Sequence, residues 1–430
     1  MTFKIITLGC KVNTYESEFM LENLLRSGYI YSEEKPDIII INTCSVTNMA
    51  DKKSKKMVRR ARRENKDAIL VVAGCSTQNA KEEYENMGID ILIGNSKKSK
   101  IVELISNYQK THEPYNYFTQ NRDLDFENMT VEKFTTHTRA FIKIQDGCNN
   151  FCSYCIIPYV RGNIRSKKFA DVFKEAEVLV ANGHKEIVLT GIHTGSYHNE
   201  DKDLSDVISA IAKIPGLKRI RISSIEITEL NDKFLHLLET EPKIANHLHI
   251  PLQSGSDTVL KRMNRKYDTT YFKEKIAQIR KIRPDISLTT DCIVGHPYET
   301  AECFQEYVNF CKEMAFSKLH VFPFSKRNGT ASALMPEINE EEKRKRVHVL
   351  LALSNVLEHD YEKKFLGEKL EVITEEYING YTTGFTSNYV KVYLKGELKL
   401  NQVYECVIDK LENNLVYGHI LTCLNEEIKL

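Results

Sequence analysis

Asp146-Gly-Cys-Asn-Asn-Phe-Cys-Ser-Tyr-Cys-Ile-Ile-Pro-Tyr-Val-Arg161 sets Cys148, Cys152 and Cys155 at the spacing C-x3-C-x2-C. Three thiolates this close can hold three irons of a [4Fe–4S] cube. No fourth Cys or His follows soon after, so one iron is left without a protein ligand. An open iron can chelate a small molecule, as an open position separates catalytic from structural zinc sites. The competing reading is a zinc knuckle. Knuckles favour paired C-x2-C units that total four ligands, which this run does not supply.

Outward from that run, a chain of 430 residues predicts two or three domains. Its 42% hydrophobic content supports globular cores. No apolar run approaches the length of a membrane span, so no membrane partner is expected. Thr2-Phe-Lys-Ile-Ile-Thr-Leu8 has the wrong flanks for a signal peptide and reads as a first strand. Eleven cysteines are too few for a disulfide scaffold here and fit a reducing cytoplasm. The net charge of +1 excludes a global field for nucleic acid. Locally, nine Lys/Arg crowd Asp51–Lys66 against only Asp51 and Glu64. Ala50, Ser54, Met57, Val58 and Ala61 recur there at helical spacing. This predicts a helix with a narrow buried stripe and a cationic outer face, either a plain solvated surface or a phosphate contact.

The first hundred residues alternate strand and helix. Lys4–Leu8 leads to Cys10, Asp37–Ile41 to Cys44, and Ala68–Ala73 to Cys75. Each Cys follows the carboxyl end of an Ile/Val-rich run, the pattern of buried parallel strands. The intervals of 34 and 31 residues are each about one strand–helix–strand unit. Ligands gather beyond such strand ends, so three cysteines distant in sequence should converge in space. A lone free Cys is commonly a small buried hydrophobe. Cys292, Cys303, Cys311, Cys406 and Cys423 show no strand-end pattern and read that way.

Together with Leu8-Gly-Cys-Lys-Val-Asn13, Asn42-Thr-Cys-Ser-Val46 and His249-Ile-Pro-Leu-Gln-Ser-Gly-Ser-Asp257, the cysteine run resembles the radical S-adenosylmethionine (SAM) methylthiotransferase family over essentially the whole chain. Gly9–Asn13 and Leu189-Thr-Gly-Ile-His-Thr-Gly195 look most like the branch acting on N6-threonylcarbamoyladenosine (t6A) at tRNA position 37. The resemblance implies an enzyme with two [4Fe–4S] clusters. One, on Cys148, Cys152 and Cys155, would cleave SAM reductively to a 5′-deoxyadenosyl radical. The other, on Cys10, Cys44 and Cys75, would carry the sulfur that a second SAM methylates. Adenine C2–H is not acidic, which agrees with radical chemistry carried by a cofactor. Implied partners are a tRNA anticodon stem-loop bearing t6A37 and a low-potential electron donor of flavodoxin or ferredoxin type.

The fold expected is α/β. It comprises an open parallel-sheet domain at 1–125, a partial (β/α)6 barrel at 138–365 and a small all-β, TRAM-like barrel at 366–430. A linker over 108–138 would mark the first boundary. The six barrel strands are read at Ala140–Gln145, Glu186–Thr190, Leu217–Ser223, His247–Leu252, Ser287–Val294 and Lys318–Pro323, with ligands at their tops. By that resemblance Thr190 and Gly191 would meet the SAM amino group, and Ser223, Ser224 and Glu226 the ribose. Gln253, Ser254 and Gly295 would complete the pocket. Arg161 and Arg165 would meet RNA phosphate or the SAM carboxylate. Gly295-His-Pro-Tyr-Glu-Thr300 departs from a family segment with Phe and Gly where His296 and Tyr298 stand. His296 reads as a packing substitute for Phe, and Tyr298 strains a position that suits glycine.

In the tail, six Lys against ten Asp/Glu over 367–430 give a net charge of −4, against a uniform phosphate grip. Tyr377, Tyr381, Phe385, Asn388 and Tyr389 are the residues read there as contacts for unstacked nucleotides. Three alternatives stay open at this level. The first is the same chemistry on isopentenyladenosine or a ribosomal-protein aspartate. The second is a one-cluster enzyme, and the third a non-catalytic RNA-binding protein with structural metal.

Overall fold

The computed structural model describes residues 1–119, 124–135 and 137–424. Thr2–Thr7 (β1), Ile30–Tyr31 (β2), Ile38–Thr43 (β3), Ile69–Gly74 (β4), Ile91–Ile93 (β5) and Tyr115–Tyr117 (β6) form one parallel sheet in the order β2-β1-β3-β4-β5-β6. Strand alternation explains its two cores. Ile38 and Ile40 face Met20, Leu24, Ile101 and Ile105 on one side, while Ile39 and Ile41 face Val58 and Ala61 on the other. Burying each isoleucine is worth roughly 1.5–3 kcal/mol. The last strand of the sheet ends at Tyr117, inside the expected 1–125 domain. The start of the 108–138 linker is a helix end and an edge strand, and residues 120–123 and 136 lie outside the described residues.

Two three-stranded parallel sheets make the centre. Ala140–Lys143 (β7), Glu186–Thr190 (β8) and Arg219–Ile222 (β9) run in the order β9-β8-β7. His247–His249 (β10), Ser287–Val294 (β11) and Lys318–Pro323 (β12) follow in chain order. A parallel bridge between Ile220 and Ile244 joins β9 to the approach of β10, giving six strands in barrel sequence. Strands β13 (Lys369–Ile378), β14 (Tyr381–Thr386), β15 (Lys391–Lys395), β16 (Val403–Glu412) and β17 (Leu415–Cys423) close a small barrel in the order β13-β14-β15-β17-β16. Among the described residues no helix is long and apolar enough to cross a membrane.

The pieces interlock. Helix α1 (Lys11–Arg26) belongs to the leading sheet, yet its Tyr15 and Phe19 pack in the core of the central barrel. Tyr15 Oη donates to Met129 O at 2.6 Å and to Glu175 Oε1 at 2.8 Å. Residues Glu132, Lys133 and Thr135 donate backbone N–H groups to Glu22 and Glu18 of the same helix. Beneath the central barrel Tyr389 stacks on His247 at 4.6 Å, with the Arg221 guanidinium 4.6 Å from its ring centre. Asn388 is buried, Tyr389 is half-buried between His247 and Arg221, and Phe385 stacks on Tyr389 at 4.7 Å, so these three join domains rather than face nucleotides.

Candidate active site

The three sequence-distant cysteines follow β1, β3 and β4. Cys10 caps the start of α1, Cys44 is the residue after β3, and Cys75 opens a short helix, Cys75–Asn79, directly after β4. Gly9, at φ +107°, shows how close the loops come. A Cβ built there would stand 2.7 Å from Cys44 Cβ and 2.9 Å from its Sγ. Asn13 Nδ2 fastens the two strand ends by donating to Leu8 O at 2.7 Å and Thr43 O at 2.9 Å. Burial, with the neighbouring thiols of Cys75 and Cys10, pushes the Cys44 thiol up to about 12.

The second trio lies in the loop after β7. Cys152 is 8% exposed, and burial with the neighbouring Cys152 and Cys148 pushes the Cys155 thiol up to about 12. Arg265 Nη1 donates to Cys152 Sγ at 3.3 Å while Nη2 pairs with Glu226. His193 Nδ1 lies 3.9 Å from Cys148 Sγ, and its Nε2 2.6 Å from Glu229 Oε1.

The donor sets fit iron–sulfur cubes. Each is three soft sulfurs, which ligate iron as thiolates and release their protons as the metal binds. Among the described residues no three His, Cys, Asp or Glu side chains converge tightly enough for a single metal ion. A cube takes each thiolate on a separate iron, so its ligands stand further apart than those of one ion.

The trios share one seam. Cys75 packs against Ile156 and Val160, the chain just past Cys155. A 200 Å³ cavity lies there, lined by Val46 and Thr47 from the Cys44 loop and by Cys155, Gln253 and Asp291 from the barrel. A second cavity of 1210 Å³ shares Thr47 and Phe322–Ser325 with it and opens outward past Asn48 and Arg327. Together they exceed the roughly 300–1,000 Å³ of a drug-sized ligand site, leaving room for a nucleotide.

The sequence-derived pocket residues divide. Gln253 lines the small cavity, and its φ of +66° is the kind of backbone strain that functional sites hold. Thr190 ends β8. Gly191 lies against Gln145, whose Oε1 would be 2.9 Å from an added Cβ, and Ser223 Oγ meets Thr194 Oγ1 at 3.3 Å. Glu226 is engaged by Arg265. A Cβ on Gly295 would strike Lys343 Cγ at 2.6 Å, so there the glycine admits a side chain of the helix Glu340–Lys363. Tyr298 adopts φ +63° with Arg262 over its ring, and His296 is buried, its Nε2 2.9 Å from Ser332 Oγ.

One expectation is overturned. Arg161 is fully buried and cannot meet RNA phosphate or an open SAM site. It binds Glu16 Oε1 and Asp146 Oδ1, each at 3.1 Å, Asn13 Oδ1 at 3.1 Å and Cys75 Sγ at 3.3 Å. Arg165 pairs with Asp146 at 3.0 Å. Glu16, absent from the sequence reading, also binds Lys143 at 2.8 Å and Lys98. Burial opposes its ionisation, but Arg161, Lys143 and Lys98 hold its carboxyl well below the usual range. The signal was present: Glu16 sits in the stripe Val12-Tyr15-Phe19-Met20, where an acid needs a buried partner.

Residues 142–311 match the model of the radical SAM superfamily, and residues 2–94 that of the uncharacterized protein family UPF0004. The chain is 46% identical to the threonylcarbamoyladenosine tRNA methylthiotransferase MtaB of Bacillus subtilis, covering 86% of this chain and 84% of that protein. It is 37% identical to the protein of the same name from Thermotoga maritima, over 88% and 87%. It is 34% identical to the tRNA-2-methylthio-N(6)-dimethylallyladenosine synthase of Thermodesulfovibrio yellowstonii, over 97% and 98%. Among solved structures, the radical SAM methyltransferase TsrM from Kitasatospora setae superposes with a TM-score of 0.55 at 13% identity, covering 75% of this chain and 74% of that one, which bears on the fold alone.

Proposed function

The chain belongs to the radical SAM methylthiotransferase family, and on that premise we propose that it converts t6A at position 37 of tRNA to its 2-methylthio derivative. The cofactors of the family are SAM and two [4Fe–4S] clusters. Cys148, Cys152 and Cys155 are the ligands assigned to the SAM-binding cluster, and Cys10, Cys44 and Cys75 those of the sulfur-bearing one. When bound, these groups supply the radical that activates the adenine and the methylated sulfur that replaces its hydrogen.

The observation that carries this reading is the common seam: Cys75 against Ile156, with a cavity whose walls come from both cysteine loops. A radical made at one site and a sulfur held at the other must meet one base, and only a shared cavity permits that. The chain's own residues build the enclosure. Arg265 fixes Glu226 and braces Cys152, while Gln253 and Asp291 wall the cavity. Thr190, Gly191, Ser223 and Gly295 remain assigned to the SAM pocket with Gln253 and Glu226.

The t6A assignment draws on the 46% identity to the Bacillus protein, against 34% to the dimethylallyladenosine enzyme. The domain division 1–125, 138–365 and 366–430 is kept as the working assignment. We place tRNA contacts of the last domain on Tyr381, Tyr393 and Tyr417. Their half-buried rings lie 5.5–6.3 Å apart, with Lys391 and Lys410 over Tyr393 and Tyr417. The physiological partners are a tRNA anticodon stem-loop and a flavodoxin- or ferredoxin-type donor in the cytoplasm. Nucleoside mass spectrometry of tRNA from cells lacking the protein tests the substrate. The 2-methylthio form of t6A should vanish while that of isopentenyladenosine stays. The reverse pattern would reject the assignment.

A further inference from the structure

Arg161 lies six residues after Cys155, in the loop of one trio, yet its guanidinium reaches a sulfur of the other. Every edge of the fork is held: Nη1 by Glu16 and Asp146, Nη2 by Asn13, and Nε by Cys75 Sγ at 3.3 Å. With no exposed surface and each of its three nitrogens held, the side chain has no freedom to swing away. The surrounding ion cluster is not balanced. Two carboxylates, Glu16 and Asp146, face four cations, Lys98, Lys143, Arg161 and Arg165. A largely buried surplus of positive charge is costly alone, and an anionic, thiolate-ligated group beside Cys75 would match it.

We propose that Arg161 is a positioning residue for the sulfur-bearing cluster. Its Nε–H hydrogen-bonds the Cys75 sulfur, raises the reduction potential of the cluster ligated there and locks that cluster to the radical-generating loop. A hydrogen bond to a cluster sulfur stabilises the more negative, reduced form, so it moves the potential upward. Arg265 stands in the same relation to Cys152, at the same 3.3 Å, so each trio receives one guanidinium. Arg161 differs in that its carboxylate partners come from both α1 and the radical-generating loop, so the two sites are set by one rigid fork. The inference rests on the ligand assignment made above for Cys10, Cys44 and Cys75.

The test uses the whole reconstituted protein, holding roughly eight iron and eight sulfide if both cubes form. After reduction with dithionite, the triple variant Cys148→Ala, Cys152→Ala, Cys155→Ala gives the paramagnetic signal of the sulfur-bearing cluster alone, which sets it apart from the SAM-sensitive cluster of the wild type. In wild-type protein grown with 15N-arginine, that signal should show 15N hyperfine coupling. In Arg161→Met its reduction equilibrium constant should fall about tenfold, about 59 mV for one electron. Wild-type protein with only the SAM-sensitive cluster would overturn the ligand assignment, and this inference with it. A second cluster that is present but lacks 15N coupling, or keeps its potential in Arg161→Met, overturns the inference alone. If Arg161→Met does not assemble, the 15N measurement on wild-type protein decides.

Discussion

Glu16 is a buried carboxylate ringed by three cations. Its two oxygens hold Lys98 from its own domain and Lys143 and Arg161 from the barrel. Glu16→Ala leaves three buried cations without it and should cost about 3–5 kcal/mol, read as a lowered urea midpoint. A loss below about 1 kcal/mol would show the network to be ornamental. Glu16 and Arg161 were hard to see from the sequence because their partners are separated by 127 and 86 residues. Burial of Arg161 was hidden for the same reason: an Arg beside a cluster loop looks solvent-facing until a distant carboxylate is placed next to it. His296 was more legible. As read, it packs like Phe, edge-on to Phe324 at 5.4 Å. Burial lowers its pKa to about 4, so the folded state binds fewer protons than the unfolded state between about 4 and 6.5. Its contribution is present above the unfolded value and is lost as pH falls through that window. His296→Phe should therefore flatten the decline of the urea midpoint from pH 7 to pH 4.5, by at most about 1.4 kcal/mol per pH unit. An unchanged decline would refute the assignment.

At the level of elements, the parallel strands and the three strand-end cysteines were plain in the sequence, because buried parallel strands are written as Ile/Val runs. Tyr381–Thr386 is a strand that the sequence does not announce. Its Thr-Thr-Gly centre lacks apolar alternation, and Gly384 is there because a Cβ would sit 2.1 Å from Ile373 O. The basic helix, Asn48–Glu64, buries Asp51 as well as packing the half-buried Ala50 on the core. Asp51 answers Ser76 and Lys55, contacts that no helical period announces. The tail tyrosines separate by element as well. Tyr393→Ala and Tyr417→Ala, on the outer face of β15 and β17, should each weaken binding of an anticodon stem-loop by roughly 1–3 kcal/mol with little change in stability. Tyr389→Ala, between domains, should do the opposite. Binding isotherms beside thermal melts decide. If Tyr389→Ala alone weakens RNA binding, the contact surface has been placed on the wrong side.

Across the whole molecule, three units are joined by buried charge and aromatic stacking rather than by long free linkers. Tyr15 enters the barrel core, Glu16 and Arg161 span the two cysteine loops, and Tyr389 is clasped under Arg221. Residues next to Cys44 (Val46 and Thr47) and the loop of Cys155 wall one cavity, and Cys75 packs on Ile156 at its edge. The decisive measurement follows C2-methylthiolation of a t6A stem-loop and 5′-deoxyadenosine release together, under argon with dithionite and SAM. Wild-type protein is compared with the triple variant Cys10→Ala, Cys44→Ala, Cys75→Ala. Wild type should yield both products, and the variant should release 5′-deoxyadenosine with no methylthiolated base. Methylthiolation by the variant at the wild-type rate would contradict the two-site account.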